Sequence, residues 1–309
     1  SVGENILAKI LVTGATSFIG KLFINRMLDR GHEVVGVSRP DSTLHINTAN
    51  KNFKSLRLDL SEYSQLGRLV GPVDYLFCLA WNGTRAQARL NKDLQHSNYV
   101  HSMEGLHSVL AAGCKTVMSA GSQAEYGNAN GIITEETICK PVTAYGENKL
   151  KFFVEGSELA KRYGCVFKEP RFFSLYGPND YAGTMIISTL SKMLKNEACD
   201  LTLCTQKWDF LYISDAIDAL ELLLTRESSA GAFNFGSGDC RPLKNFVLEM
   251  KNVTKSDSNL NFGAVPYPST GPVSIFPSVS KLKQELAWEP KISFKEGITK
   301  ILKEDSRLS

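Results

Sequence analysis

The chain has 309 residues, enough for one large domain or two unequal ones, and its 43% hydrophobic and 22% charged content is ordinary globular composition with no room for a long disordered tail. The formal net charge is only +3 and the lysines and arginines are dispersed, which argues against nucleic acid or an anionic membrane as the main partner. Seven cysteines without a C-x-x-C pair indicate neither a disulfide framework nor a zinc site, Ser1–Lys9 is too short and polar for a signal sequence, and no run of about eighteen apolar residues occurs; a cytoplasmic protein with reduced thiols and no metal is expected.

Lys9 to Thr13 is a short apolar, partly β-branched run that ends in glycine, and Ile19, Leu22, Phe23 and Met27 then recur at helical spacing as far as Gly31. The pattern predicts strand, glycine turn, helix. The turn reads Thr13-Gly14-Ala15-Thr16-Ser17-Phe18-Ile19-Gly20. Such a turn points backbone N–H groups of a helix N-terminus at a pyrophosphate, and its last glycine lets the helix approach the sheet. Ser17 stands where a third glycine is usual. Alone, the turn also fits an ordinary tight connection; its place after the first strand points to a dinucleotide held by Gly14, Thr16, Ser17, Phe18 and Ile19.

A second strand, Val34–Ser38, ends in Ser38-Arg39, where enzymes using NAD usually place an acid on the ribose hydroxyls. An arginine and a hydroxyl suit the extra 2′-phosphate of NADP(H); the bland alternative is a solvated Arg39 before Pro40. The third strand, Ser55–Leu58, runs into Asp59-Leu60, expected near the adenine. The fourth, Tyr75–Ala80, delivers Leu79, Ala80 and Trp81 to the cofactor's path. Alternating strands and helices predict an α/β fold, a doubly wound parallel Rossmann sheet covered on both faces.

A helix over Asn98–Ala112, a strand over Thr116–Ser119, a helix over Ala144–Tyr163 and a strand over Cys165–Arg171 continue the rhythm, which breaks after Tyr176-Gly177-Pro178. The expected division is a dinucleotide-binding domain over 1–175, rejoined by 213–240, and a smaller mixed α/β C-terminal substrate-binding domain over 176–212 and 241–309. His96, His101 and His107 share one helical stretch, but their spacing and the lack of acidic or cysteine partners argue against a metal.

Tyr145-x-x-x-Lys149 opens a helix, so both side chains share a face one turn apart. A phenol with an ordinary pKa of about 10 is a weak acid or base at neutral pH, but an adjacent ammonium and an oxidised nicotinamide ring favour its anion. Lys149 can also donate to the nicotinamide ribose. The spacing alone describes many exposed helical pairs; it gains force from the preceding strand end, Ser119-Ala120-Gly121-Ser122-Gln123-Ala124-Glu125-Tyr126-Gly127, where Ser122 can hydrogen-bond a reacting oxygen beside Tyr145.

The glycine turn, the serine strand and the Y-x-x-x-K helix, in this order, resemble the extended short-chain dehydrogenase/reductase superfamily, specifically its nucleotide-sugar epimerase, dehydratase and reductase branch. The likeness spans almost the whole chain. Asn98-Tyr99-Val100, Arg171-Phe172-Phe173-Ser174-Leu175-Tyr176-Gly177-Pro178, Trp208-Asp209-Phe210-Leu211-Tyr212-Ile213-Ser214-Asp215, Phe233-Asn234-Phe235-Gly236-Ser237-Gly238 and Leu286-Ala287-Trp288-Glu289-Pro290 resemble the same branch. The resemblance implies catalysis by Ser122, Tyr145 and Lys149 on a nucleotide sugar, and a homodimer through the helices near 98–112 and 145–163. It also implies substrate contacts from Ser174, which stands where asparagine is more usual, and from Trp208, which stands where an arginine often grips the pyrophosphate, with Lys207 adjacent. Trp208 reads first as a core residue and second as a surface for a base or sugar. Thr84 and Arg85 after the fourth strand, and Gln123 and Ala124 beside Ser122, complete the substrate candidates, Arg85 reading equally as a solvated loop charge.

The departures guide the chemistry. Dehydratases of this branch resemble T-D-E-x-Y at the serine strand, and the aligned Ser122-Gln123-Ala124-Glu125-Tyr126 lacks that acid–base pair. Epimerase-reductases resembling GDP-fucose synthase carry a cysteine where Ala124 stands and a histidine beyond the lysine, and no histidine follows His107. The expectation is an NADPH-dependent reductase of the 4-keto group of a nucleotide-diphosphate 4-keto-6-deoxyhexose, serving deoxysugar biosynthesis for surface polysaccharide. A nucleotide-sugar C4-epimerase is the alternative among enzymes; a non-catalytic NADP-binding regulator is the alternative of another class.

Overall fold

Short apolar strands separated by amphipathic helices favour a parallel sheet, and the computed structural model, which describes residues 6–43, 49–269 and 271–308, contains one. The first elements are β1 (Lys9–Thr13), α1 (Phe18–Asp29), β2 (Glu33–Ser38), β3 (Phe53–Arg57), α2 (Leu66–Val70), β4 (Tyr75–Cys78), α3 (Lys92–Ala112), β5 (Thr116–Ser119), β6 (Gly121–Ser122), α4 (Ala144–Arg162) and β7 (Val166–Phe172). There follow β8 (Leu175–Tyr176), α5 (Met185–Leu194), β9 (Cys199–Leu201), β10 (Lys207–Asp209), β11 (Leu211–Tyr212), α6 (Ile213–Thr225) and β12 (Gly231–Phe235). The last are β13 (Cys240–Pro242), α7 (Leu243–Thr254), β14 (Leu260–Phe262), α8 (Ser280–Leu286) and α9 (Phe294–Glu304).

The main sheet runs β12-β7-β5-β4-β1-β2-β3, with β6 beside β7. Leu11 stands opposite Val35 on one side and Leu76 on the other, in parallel register. The strand order reverses between β1 and β4, and at such a switch point a crevice opens at the carboxyl ends of the strands. On one face Leu106, Val109 and Leu110 of α3 and Phe152 of α4 pack with Leu11, Val35, Leu76 and Val117. The buried side chains of α1 include Phe23, Ile24 and Met27, and Phe23 meets Phe77 of β4 edge-on with centroids 4.8 Å apart. Arg26 of α1 pairs with Asp218 and Glu221 of α6 at 2.7 and 2.9 Å.

Helix α3 begins at Lys92, six residues before the predicted Asn98, because the Asn91 side chain caps it by accepting from the Leu94 N–H at 3.0 Å. Its polar opening turn has no apolar periodicity to announce it. His101 and His107 of this helix contact Glu104 and Tyr163, each at 3.2 Å.

Contacts divide the chain into one unit of Ser1–Gly127, Ile138–Arg171 and Ile217–Phe233, and a second of Asn128–Thr137, Phe172–Ala216 and Asn234–Ser309. The segment 128–137, expected in the dinucleotide domain, belongs to the second unit. The Ile133 N–H donates to Phe276 O at 2.8 Å, and Asn234 donates from its side chain to Ile133 O at 3.0 Å and from its backbone to Glu135 Oε1 at 2.8 Å. Nothing local in Asn128-Ala129-Asn130-Gly131 encodes those distant partners.

The second unit is built on aromatic rings. Phe210 packs edge-on against Phe246 at 5.0 Å and stacks on Phe294 at 5.5 Å, while Tyr176 meets Phe294 at 5.4 Å. Helix α9 reaches Tyr176 only because Gly297 has no side chain: a Cβ there would lie 2.1 Å from the phenol oxygen. The buried Asp215 accepts from the backbone N–H groups of Lys291 and Ile292 at 2.9 and 3.0 Å, and its carbonyl accepts from Trp288 Nε1 at 3.0 Å. Asp215→Ala removes the acceptor of both N–H groups and is expected to lower the unfolding free energy by about 2–4 kcal/mol, with Asp215→Asn costing less, as read by urea denaturation followed by tryptophan fluorescence.

Candidate functional site

The turn between β1 and α1 depends on two close approaches. Gly14 adopts φ +68°, and a Cβ there would sit 2.9 Å from the Ala80 N; a Cβ on Gly20 would sit 2.4 Å from Gly14 O. Both glycines are therefore required by space, and Gly14 by conformation as well. Ser17, in place of a third glycine, has φ −67° and caps α1 by accepting from the Gly20 N–H at 3.0 Å. It needs no glycine freedom. The first turn of α1 holds no acidic side chain, and the N–H groups that open a helix, here those of Phe18 and Ile19, have no acceptor within it, which makes a positive helix end. This is a cradle for an anion, with Thr16 tied to Ser42 by a 3.2 Å hydroxyl contact.

At the end of β2, Ser38 is buried and its Oγ has no hydrogen-bond partner among the described residues. An orphaned buried hydroxyl here fits a ligand that supplies the missing partner. Arg39 is exposed, 4.0 Å from the Asp41 carboxylate. Arg57, opposite Ser38 in the register of β3, donates to the carbonyls of Arg39, Pro40 and Ser42 and so braces this turn. Nothing local in the sequence marked Arg57; strand pairing places it there. Arg39, Pro40, Asp41, Asp59, Asn82, Gly83 and Leu94 line a cleft of about 550 Å³. The Asp59 carboxyl is held below its usual range by the Ser61 N–H and hydroxyl, at 3.0 and 2.8 Å. The side chain of Leu60, expected beside it near the cofactor, packs into the core cluster with Tyr63 and Leu66 at the start of a 3₁₀ helix.

Leu79, Ala80 and Trp81 follow β4, half-buried. The Leu79 and Ala80 N–H groups donate to Thr13 Oγ1 at 3.1 and 3.3 Å, and Trp81 Nε1 donates to Gln95 Oε1 at 2.7 Å. Two buried amides of α3 clamp the loop: Gln95 donates to Gly83 O at 2.8 Å, and Asn98 both donates to Asn82 O at 2.7 Å and accepts from the Asn82 N–H at 3.1 Å. Thr84 is half-buried and Arg85 exposed, at the start of the 3₁₀ segment Ala86–Leu90.

The structure brings Ser122, Tyr145 and Lys149 together, all buried. Ser122 ends β6 and starts the turn Gln123–Glu125, its Oγ accepting from the Ala124 N–H at 3.1 Å. Thr143 caps α4, and Tyr145 follows in its first turn within hydrogen-bonding contact of Ser122. Burial pushes the Tyr145 phenol above its ordinary value, while the Arg89 guanidinium and the Ser122 hydrogen bond pull the other way. Lys149 Nζ donates to Ala120 O at 2.8 Å and lies 4.2 Å over the Trp81 ring. Burial pushes this ammonium down to about 8, against the pull of Glu125 and Glu169.

Behind Ser122 is a buried charge cluster that motif spacing did not disclose. Glu125 Oε2 accepts from the Ser122 N–H at 2.8 Å, Arg171 Nε donates to Glu169 Oε1 at 2.6 Å, and Arg171 Nη2 lies 3.5 Å from Glu125 Oε1. Desolvation raises both carboxyls, Glu169 more strongly because Glu125 is its neighbour, while the Arg171 guanidinium pulls both the other way. Gln123 and Ala124 are half-buried on the same turn.

In the second unit Ser174 and Trp208 line a cavity of about 350 Å³ with Tyr176, Asp180, Gln206 and Phe210. Trp208 is half-buried there, a cavity wall more than a core residue. Lys207, expected to share its role, lines a separate cleft with Asn128 and Ser274, since adjacent strand residues point to opposite faces.

Residues 10–236 match the family model described as the NAD dependent epimerase/dehydratase family. An uncharacterized UDP-glucose epimerase of Bacillus subtilis (strain 168) is 28% identical over 94% of this chain and 96% of its own length. A CDP-abequose synthase of Salmonella muenchen is 26% identical over 95% of this chain and 97% of its own. Among solved structures, the UDP-glucose 4-epimerase of Thermotoga maritima with UDP-glucose shares the fold at TM-score 0.86 and 22% identity, covering 96% of this chain and 98% of that one.

The Lys149 environment makes a pH-dependent prediction. Its folded value of about 8 lies below the ordinary 10.5, so between those limits the unfolded chain binds more protons and wild-type stability rises with pH. Lys149→Met lacks this contribution. The stability of Lys149→Met minus that of wild type is expected to be flat below about pH 8 and to fall steadily towards pH 10, measured by urea denaturation at stepped pH. A difference independent of pH contradicts the buried-ammonium description.

Proposed function

The chain belongs to the NAD dependent epimerase/dehydratase family, and from this premise we propose that it uses NADPH to reduce the 4-keto group of a nucleotide-diphosphate 4-keto-6-deoxyhexose, in deoxysugar biosynthesis for surface polysaccharide. The observation that carries the reading is the placement of the acids around Ser122. Glu125 and Glu169 are buried, bonded to the Ser122 N–H and to Arg171, and so are withdrawn from substrate. Removal of water, or inversion through a carbanion, needs an accessible base. The groups left are suited to proton exchange at an oxygen.

In this reading bound NADPH supplies the hydride to the carbonyl carbon. Tyr145 gives its phenolic proton to the carbonyl oxygen, Ser122 Oγ donates a hydrogen bond to the same oxygen, and Lys149 stabilises the phenolate left behind. Hydrogen bonds aimed at an oxygen that gains charge strengthen in the transition state, where stabilisation accelerates the step. Arg39, with Ser38 and the Arg57 brace beside it, supports the 2′-phosphate form of the cofactor. The cavity of Ser174 and Trp208 supports a nucleotide contact from the second unit, and a homodimer through α3 and α4 belongs to the same reading.

A C4-epimerase that keeps its dinucleotide is the second reading, favoured by the likeness to the Bacillus subtilis protein. Dinucleotide surviving purification, with turnover that needs no added NADPH, would distinguish it. For the reductase, Tyr145→Phe is expected to abolish turnover while NADPH still binds; full activity in that variant removes the proton donor from the account. Arg39→Ala is expected to weaken NADPH by about tenfold to a hundredfold and NADH little, measured by fluorescence titration.

A further inference from the structure

Arg89 lies near the end of the 3₁₀ segment Ala86–Leu90, in the loop that follows β4. Its Nε donates to Thr84 O at 2.6 Å, which fixes the guanidinium plane, and its Cζ lies 4.6 Å over the centre of the Tyr145 ring. Trp81 touches the same ring edge-on at 6.4 Å, and Lys149 Nζ is 5.9 Å from its centre. The charged groups facing the phenol therefore come from four elements: Arg89 from the loop, Lys149 from α4, Glu125 from the turn after β6, and Glu169 from β7. Glu125 and Glu169 are answered by Arg171 at 3.5 and 2.6 Å.

The two cations differ in what alkali does to them. Burial brings Lys149 to about 8, so its charge fades as a phenol begins to ionise. A guanidinium keeps its charge throughout that range. A cation over an aromatic face also interacts more favourably as the ring gains electron density, and a phenolate has more than a phenol.

We propose that Arg89 is a positioning residue for the Tyr145 phenol, holding a permanent positive charge over its ring so that the phenol is a stronger proton donor than Lys149 alone would make it. Arg89 acts through Tyr145, and the proposal rests on Tyr145 as the acid–base group of the proposed reaction. Its test reads the phenol itself and needs no substrate, so it can fail or succeed whatever sugar the protein reduces.

The experiment labels the full-length protein with meta-fluorotyrosine, a more acidic phenol that ionises below the range of alkaline unfolding, and follows the Tyr145 signal by fluorine NMR as pH is raised. The signal is identified among the ten tyrosines by its loss in Tyr145→Phe. In Arg89→Met the ionisation midpoint is expected to rise by about one pH unit, a tenfold weaker acid, and Arg89→Lys is expected to recover most of the shift. Arg89→Gln, neutral but able to donate to Thr84 O, should resemble Arg89→Met and serves if the methionine variant does not fold. A midpoint unmoved in the neutral variants overturns the proposal. So does a lysine variant that matches methionine, because the loop's packing and not its charge would then govern the phenol.

Discussion

Gly146 has no side chain, and for that reason the first turn of α4 lies directly against the carbonyl of Ala124; a Cβ would stand 2.4 Å from that oxygen. Alanine would gain up to about 1 kcal/mol in helix propensity, but the clash with a backbone atom costs about 1–3 kcal/mol, so the contact governs the choice. Everything at the candidate site depends on this approach. Tyr145, one residue earlier, meets Ser122, and Lys149, one turn later, reaches Ala120 O at 2.8 Å. Gly121 does the same work on the opposite side, where a Cβ would stand 2.5 Å from the Glu169 carboxyl carbon. Two glycines thus let a helix and a buried charge cluster close on one serine.

The electrostatics follow from that closeness. Water is excluded from Tyr145, Lys149, Glu125 and Glu169 together, so burial pushes the phenol and carboxyls up and the ammonium down. Arg171 compensates the carboxylates behind Ser122, leaving Lys149 and Arg89 to act on the phenol. At the other end of the crevice the same logic operates through the backbone. Gly14 and Gly20 bring a helix end against the sheet, and the orphaned hydroxyl of Ser38 stands beside Arg39 with its partner still to be supplied.

Much of this was legible because the signals are local. The strands Lys9–Thr13 and Thr116–Ser119 have the predicted bounds, and the glycine turn, the Ser122 loop and the Tyr145–Lys149 pair each lie within a short stretch whose geometry is set by its own residues. What escaped depends on partners distant in sequence. Arg89 meets Tyr145 across more than fifty residues, Gln95 and Asn98 clamp a loop from the next helix, and Arg57 is brought to Arg39 by strand register. Lys207 and Trp208 parted because a strand alternates its faces. Local pattern predicts elements well, whereas loop geometry decides which side chains meet.

Net hydride transfer from NADPH to a sugar carbonyl, as proposed, can be followed by NADPH and NADH absorbance with a set of nucleotide-4-keto-6-deoxyhexoses as acceptors, with product configuration read by NMR. One acceptor is expected to be consumed in step with NADPH, in strong preference to NADH. No net oxidation with any acceptor, together with sugar isomerisation or tightly held NAD, would contradict it and leave a C4-epimerase.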